Sequence, residues 1–418
     1  MKSLGFIYRL FIGGVSLFCL LCTISQPADA QYFKFEKNRR KVSIPFQMVK
    51  NLIIIPLEIN GAGPFNFILD TGVGILLITD PALNDSLHLW DKRGIKISGF
   101  GQDTSLQAYI SSALHINLSS AVSGTMRAAV LQKDAFNLSG LTGMPVYGIL
   151  GYEFFSSFIV KINYDTHLIT LFPNETGYIS KRGYKVPITI EENKPYIKAD
   201  VQVDNDTVIT AKFIIDTGAG HPVSLEMLNR EPFEPPEKRI RANLGIGLSG
   251  QINGYAGRIK SLKLGKYTLK KVITSFPDYA DAAAKVITVN RNGNIGNGVF
   301  KRFDVIFDYN RGRLYLRPGS QFKKPFEHDM SGIEFISFGE AYRRILITRV
   351  EEGSAAADAG LREGDEIVAV NLKPVKKMGV GELDELFRSQ DGRNLLLDVV
   401  LKDSTEVSQL ILTLKRRI

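Results

Sequence analysis

Phe67-Ile68-Leu69-Asp70-Thr71-Gly72-Val73-Gly74 recurs later in the chain as Phe213-Ile214-Ile215-Asp216-Thr217-Gly218-Ala219-Gly220. Each copy is a short apolar run, which reads as a buried strand, ending on an acid and a turn of small residues. A single Asp-Thr-Gly is an ordinary strand exit. Two of them supply a pair of carboxylates, and two carboxyls a few Å apart share one proton, so that one acts as base and the other as acid. A chain with both copies can build that pair by itself.

The repetition extends outward from these triplets. Leu52–Ile59, the turn Asn60-Gly61-Ala62-Gly63-Pro64 and Phe65–Leu69 read as strand, turn and strand before Asp70. Tyr196–Val203, a turn at Asp204-Asn205 and Val208–Ile215 do the same before Asp216. Further on, Gly148-Ile149-Leu150-Gly151, Phe155, Phe158, Val160 and Tyr164 match Gly293-Asn294-Ile295-Gly296, Phe300, Phe303, Val305 and Tyr309. The offset is 146 residues for the aspartates (70 to 216) and 145 for the later block (148 to 293), which marks a duplication. Between the blocks lie the Gly-rich hairpin candidates Ser98–Asp103 and Gly245–Gly250, which suit covers over a cleft as well as plain hairpin turns.

Each unit resembles the retropepsin-like aspartic protease fold, the clan of pepsin and the retroviral proteases. A hairpin runs into Asp-Thr-Gly, a flap-like hairpin follows, and then a hydrophobic-hydrophobic-Gly segment before a short helix. The resemblance covers roughly residues 45–317 and implies two fused, mostly β lobes, closed or partly open barrels, at 31–173 and 174–320. It implies an aspartic endopeptidase that acts on protein or peptide substrates, as a monomeric catalytic unit without metal or cofactor. Asp70 and Asp216 would be the catalytic pair, activating a water and protonating the amide carbonyl oxygen. Thr71 and Thr217 would brace the two loops through hydroxyl–backbone hydrogen bonds, and Gly72 and Gly218 would allow close backbone approach. Where pepsin-like enzymes carry Ser or Thr after the Gly, Val73 and Ala219 stand here, followed by Gly74 and Gly220. Fewer hydroxyls near the pair imply a higher working pH than pepsin's. Tyr109 and Tyr255 are flap-tyrosine candidates by location alone. The alternatives are a non-catalytic peptide-binding or scaffold protein with an inactive pair, and a dimer whose lobes pair between chains.

Past the linker at Pro318–His328 the duplication stops, and residues 328–418 resemble a bacterial PDZ domain, an α+β unit. Val350–Asn371 carries the match. Ser354 suits the N-cap of a one-turn Ala-rich helix and Gly360 the left-handed residue that ends it. The resemblance makes Gly332-Ile333-Glu334-Phe335 the carboxylate-binding loop and Val380–Arg388 the helix walling the groove, for a ligand with a free peptide C-terminus. The plain reading is a small β core whose groove is vestigial.

The 418 residues carry a net charge of +9, with 52 Lys and Arg scattered among 43 acids, a solvated surface and no nucleic-acid patch. Lys2 and Arg9, the apolar stretch Leu10–Cys22 and Ala28-Asp29-Ala30 read as a signal peptide over 1–30, with a retained anchor as the rival. Both cysteines, Cys19 and Cys22, fall inside it, so the mature chain would hold no disulfide and no transmembrane span. Export to a bacterial periplasm or cell envelope is the expectation. The five histidines show no metal-ligand spacing, and His221 reads as an incidental polar neighbour of the second triplet.

Overall fold

The computed structural model describes residues 32–418, apart from 37–38, 88, 90–92, 98–105, 177–182, 205–206, 248–249 and 279–290. The leader at 1–30, the Ser98–Asp103 hairpin, and parts of the Asp204-Asn205 turn, the Gly245–Gly250 hairpin and the 173–185 connection therefore lie outside the described residues. What is described is mostly β, in curled sheets.

Asn60 and Gly61 both adopt left-handed backbone (φ 52° and 81°), the conformation of a tight two-residue hairpin turn. That turn joins strands Leu52–Ile59 and Ala62–Leu69 in antiparallel register, Ile54 opposite Ile68, and delivers Leu69 fully buried to the edge of Asp70. Gly148–Leu150 then lies parallel to Phe67–Leu69 and antiparallel to Leu76–Ile78. A Cβ on Gly148 would stand 2.1 Å from the Leu77 carbonyl oxygen, so the strand passes only as glycine. The second half repeats the construction. Lys194–Gln202 pairs with Ile209–Asp216, and Gly293–Gly296 runs parallel to Phe213–Asp216 and antiparallel to Val223–Leu225. A Cβ on Gly293 would meet the Ser224 carbonyl oxygen at the same 2.1 Å.

The later block of the duplication builds the sheet beneath both halves. Its order is Val42–Pro45, Leu168–Pro173, Phe158–Asn163, Phe303–Asp308, Arg313–Pro318, Tyr184–Glu191. The two equivalent strands pair with each other, Val160 opposite Phe307 and Ile162 opposite Val305. Their β-branched and aromatic residues suit a strand covered on both faces. Phe155, Phe300, Phe307 and Tyr309 pack under it, with Phe155 at 5.1 Å from Phe307 and stacked on Tyr309 at 5.6 Å. One apolar core runs through both halves.

Residues 331–418 hold a separate core and a sheet ordered Ile333–Phe338, Arg344–Val350, Glu366–Val370, Asn394–Val400, Val407–Thr413. Ser354 caps the helix Ala355–Asp358 by accepting from the Ala357 N–H at 3.2 Å, and Gly360 follows at φ 82°. The helix Val380–Phe387 buries Leu383 and Phe387. The segment before this unit is pinned: Arg302, itself buried, donates to the carbonyls of Gln321, Lys324 and Pro325 and stacks 3.5 Å from the Phe326 ring centroid. Among the described residues no helix is long and apolar enough to cross a membrane.

Candidate active site

Asp70 and Asp216 stand at the ends of the two equivalent strands, and the loops that follow interlock. The Thr71 N–H donates to Thr217 Oγ1 at 3.1 Å and the Thr217 N–H to Thr71 Oγ1 at 3.0 Å. Each hydroxyl in turn donates across the junction, Thr71 to the Ile215 carbonyl (2.7 Å) and Thr217 to the Leu69 carbonyl (2.9 Å). Both threonines are fully buried. Only a hydroxyl can accept and donate in this way, so the pattern requires Thr or Ser.

The glycines answer a space requirement. A Cβ on Gly218 would lie 2.2 Å from the Asp70 carboxyl carbon, and one on Gly72 3.1 Å from that of Asp216. Their N–H groups converge on one atom: Gly72 donates to Asp70 Oδ1 at 2.6 Å and Gly218 at 3.1 Å. The two carboxyls flank the same spot: a Cβ on Gly72 would lie 3.1 Å from both Asp216 Cγ and Asp70 Oδ1. Burial raises the Asp70 pKa well above the usual carboxylate range, the neighbouring Asp216 charge adds to this, and the two glycine N–H groups oppose it. The pair therefore keeps a proton where isolated carboxyls would lose theirs.

Asp216 is held differently. Its Oδ2 accepts from Asn294 Nδ2 at 2.6 Å, while Oδ1 has no partner among the ordinary donors. His221 Nε2 and Asn294 Oδ1 both lack a hydrogen-bond partner, and burial pulls the His221 pKa down against the push of the Asp216 charge. Behind them the buried Glu226 receives both prongs of Arg291, at 2.9 and 3.1 Å. Lys194 also feels both aspartates, although burial is the larger influence and lowers its pKa. The sequence reading found none of these as site residues and set His221 aside. One signal was present: Asn294 is polar where the first half has Ile149.

The departures at Gly74 and Gly220 have a packing cause at the second position. A Cβ on Gly220 would lie 2.5 Å from the Lys50 carbonyl oxygen, and Asn51 Nδ2 donates to the Gly220 carbonyl at 2.8 Å. The Lys50–Asn51 turn thus presses on the second Asp-Thr-Gly loop and leaves no room for a hydroxyl side chain. Neither flap-tyrosine candidate is brought to the dyad by a described contact. Tyr109 lies on the exposed strand Leu106–Ile110, and Tyr255 is flanked by Arg239 and Arg241, each 5.1 Å from its ring centroid. Among the described residues no cluster of His, Cys, Asp and Glu is arranged to hold a metal ion.

The four residues read as a carboxylate-binding loop sit together at the start of the edge strand Ile333–Phe338, but the N–H groups of Gly332 and Ile333 are engaged. The Gly332 N–H donates to Asp329 Oδ1 at 2.6 Å and the Ile333 N–H to Ser331 Oγ at 3.0 Å. The Glu334 carboxylate takes Asn243 Nδ2 at 2.9 Å and Arg349 at 3.1 Å. Lys50 donates to the Phe335 carbonyl at 3.4 Å and lies 4.1 Å over the Phe335 ring. The helix Leu138–Thr142 of the first lobe packs on both the strand and the helix Val380–Phe387. A Cβ on Gly143 would meet Val380 at 2.6 Å and Ser337 at 3.1 Å. The groove expected to take a peptide is covered by the chain's own first lobe.

Comparison with known proteins agrees with the two regions so described. Residues 55–154 match the family model described as aspartyl protease, and residues 346–401 match that of the PDZ domain. No curated protein matches the chain. Among solved structures it is similar to the photosystem II D1 C-terminal processing protease, at 23% identity and a TM-score of 0.19, over 20% of this chain and 22% of that one.

Proposed function

We propose that this chain, which carries an aspartyl-protease-like domain and a PDZ domain, is an aspartic endopeptidase. The observation that carries the reading is the dyad: two carboxyls from one chain brought beside the same glycine by interlocked threonine loops, with the Asp70 pKa raised. Such a pair can take a proton from a water attacking an amide carbon and give one to the carbonyl oxygen, in a single site without a covalent intermediate. The threonine lattice fixes the two loops so that the carboxyls need not reorganise. Protein or peptide is the substrate class, and export to the cell envelope remains part of the proposal on the strength of the N-terminal sequence.

The PDZ unit serves here as a body packed against the first lobe. A peptide reaches its groove only after the contacts of Lys50 and the helix Leu138–Thr142 have opened. The test is hydrolysis of an unfolded-protein mixture, with inhibition by a statine-type transition-state mimic and a bell-shaped pH dependence from the pair. Binding of peptides without turnover, unchanged by Asp70→Asn or Asp216→Asn, would establish the scaffold reading instead.

A further inference from the structure

Each lobe reaches the other lobe's Asp-Thr-Gly loop through a two-residue hairpin turn. Lys50 and Asn51 join Gln47–Val49 to Leu52–Ile59, both in left-handed backbone (φ 47° and 66°). Glu192 and Asn193 join Tyr184–Glu191 to Lys194–Gln202 in the same conformation (φ 48° and 63°). Asparagine is among the side chains that adopt this backbone most readily, and here it carries an amide to the tip of each turn.

The two amides cross between the lobes. Asn51 Nδ2 donates to the Gly220 carbonyl at 2.8 Å, and Asn193 Nδ2 donates to the Gly74 carbonyl at 3.4 Å. These acceptors are equivalent, each standing four residues beyond its aspartate. One residue earlier, a backbone N–H holds each loop again, Asn297 to the Ala219 carbonyl at 2.7 Å and Tyr152 to that of Val73 at 3.0 Å. The threonines thus tie the near ends of the loops together, and the asparagines tie the far ends to the opposite lobe. Gly72 and Gly218, one in each loop, both donate to Asp70 Oδ1, so slack in either loop is felt at that carboxyl.

The two ties differ in strength. Asn193 is exposed and its bond is long. Asn51 is half-buried, with Lys301 Nζ on its Oδ1 at 2.7 Å and the fully buried Asn297 donating to its carbonyl at 2.5 Å. Its neighbour Lys50 donates to the Phe335 carbonyl of the PDZ edge strand, and Gln47–Val49 packs against the helix Val380–Phe387.

We infer that Asn51 and Asn193 are positioning residues that hold the far ends of the two Asp-Thr-Gly loops, and that the PDZ unit secures the stronger tie through Lys50. Neither asparagine touches a reacting atom. The effect on rate rests on the peptidase reading; the effect on the carboxyls does not.

The experiment is a pH titration of ¹³C-labelled aspartate carboxyls in the full chain without substrate. Beside it runs hydrolysis of a short peptide taken from the products of the unfolded-protein mixture. Asn51→Gly removes the amide, suits the left-handed turn and changes no charge. The groups facing the pair (Lys194, His221, Tyr309 and the Glu226–Arg291 pair) and those at the turn (Lys50 and Lys301) all remain. A weakened N–H contact makes a carboxyl harder to ionise, so the first deprotonation of the pair should rise by roughly 0.3–1 pH unit. The maximal rate should fall several-fold with KM little changed, since the reacting groups are displaced and remote substrate contacts are not. Asn193→Gly should act in the same direction by less, and it carries the test alone if Asn51→Gly fails to fold. Lys50→Met should follow too, and its effect should vanish in the Asn51→Gly background because it acts through that asparagine. An unmoved titration in folded Asn51→Gly, or in Asn193→Gly where the first does not fold, overturns the inference. So does a Lys50→Met effect undiminished in the double variant. Shifted carboxyls in a chain that hydrolyses nothing would uphold the positioning and sink the peptidase reading.

Discussion

At the dyad and at the PDZ groove this chain holds buried polar groups in opposite conditions. Around Asp216 they remain open to further bonding: Asp216 Oδ1, Asn294 Oδ1 and His221 Nε2 lack ordinary partners. At the loop before Ile333 the N–H groups that would greet a peptide carboxylate are bonded to Asp329 and Ser331. Nearly all buried polar groups in folded proteins are paired, so unpaired ones point to chemistry or a ligand, whereas saturated ones point to architecture. Both regions match known families, and only the bonding separates what each is ready to do in this conformation.

The comparison breaks most visibly at the carboxyls. Asp70→Asn and Asp216→Asn should each lower hydrolysis by on the order of 10²–10⁴-fold, and the double variant should be no worse than either. Substantial turnover in a single variant would mean that the open groups at the dyad are not its working parts. Next come the threonines, which are saturated like the PDZ loop although they sit at the dyad. Thr71→Val or Thr217→Val removes bonds worth ~0.5–1.5 kcal/mol each and leaves buried partners unpaired, so urea midpoints should fall, while Thr→Ser should largely preserve them.

A smaller effect tests the covered groove. Peptides ending in a free carboxylate or an amide should bind the full chain with equal, low affinity by fluorescence polarisation. Lys50→Met, which removes a donor to the Phe335 carbonyl, should raise binding of the free acid several-fold. A strong preference for the acid in the unmodified chain would show that the loop donors are available after all.

The smallest is a pH effect at Asp329. Burial pushes its carboxyl up to about 6, above the 3.8 of an ordinary aspartate, with Arg388 and the Gly332 N–H opposing. Between about pH 4 and 6 the folded unit then holds a proton that the unfolded chain has released. Stability from this group is present below that window and is lost as pH rises through it. Asp329→Asn should flatten that part of a Tm-against-pH curve. An unchanged slope would remove Asp329 from the account.

Much of this was legible in the sequence because it depends on local pattern. The paired triplets, the Asn60-Gly61 turn, the Ser354 cap and the offset of the two blocks are all carried by residues close together in the chain. Duplication then made a long-range inference available, since equivalent strands in two halves face each other. The role of Asn294 escaped for the opposite reason. Its meaning lies in a hydrogen bond to Asp216 across 78 residues, and a lone asparagine in a Gly-rich strand gives no sign of what it faces. The covered groove was equally hidden, because Lys50 and Gly143 belong to another domain and no local rule joins them to Val380 or Phe335.

The strand pairing of Phe158–Asn163 with Phe303–Asp308 bears on how the chain reaches this state. Val160 must wait for Phe307, which is synthesised almost the length of a whole domain later. Non-local pairing of this kind slows folding, because loop closure precedes any reward. Until the partner arrives, the first lobe presents an apolar edge strand with unpaired backbone, a ready template for another copy of itself. A nascent or truncated first lobe should therefore aggregate, and the second half of the duplication acts as the cap that keeps the first half soluble.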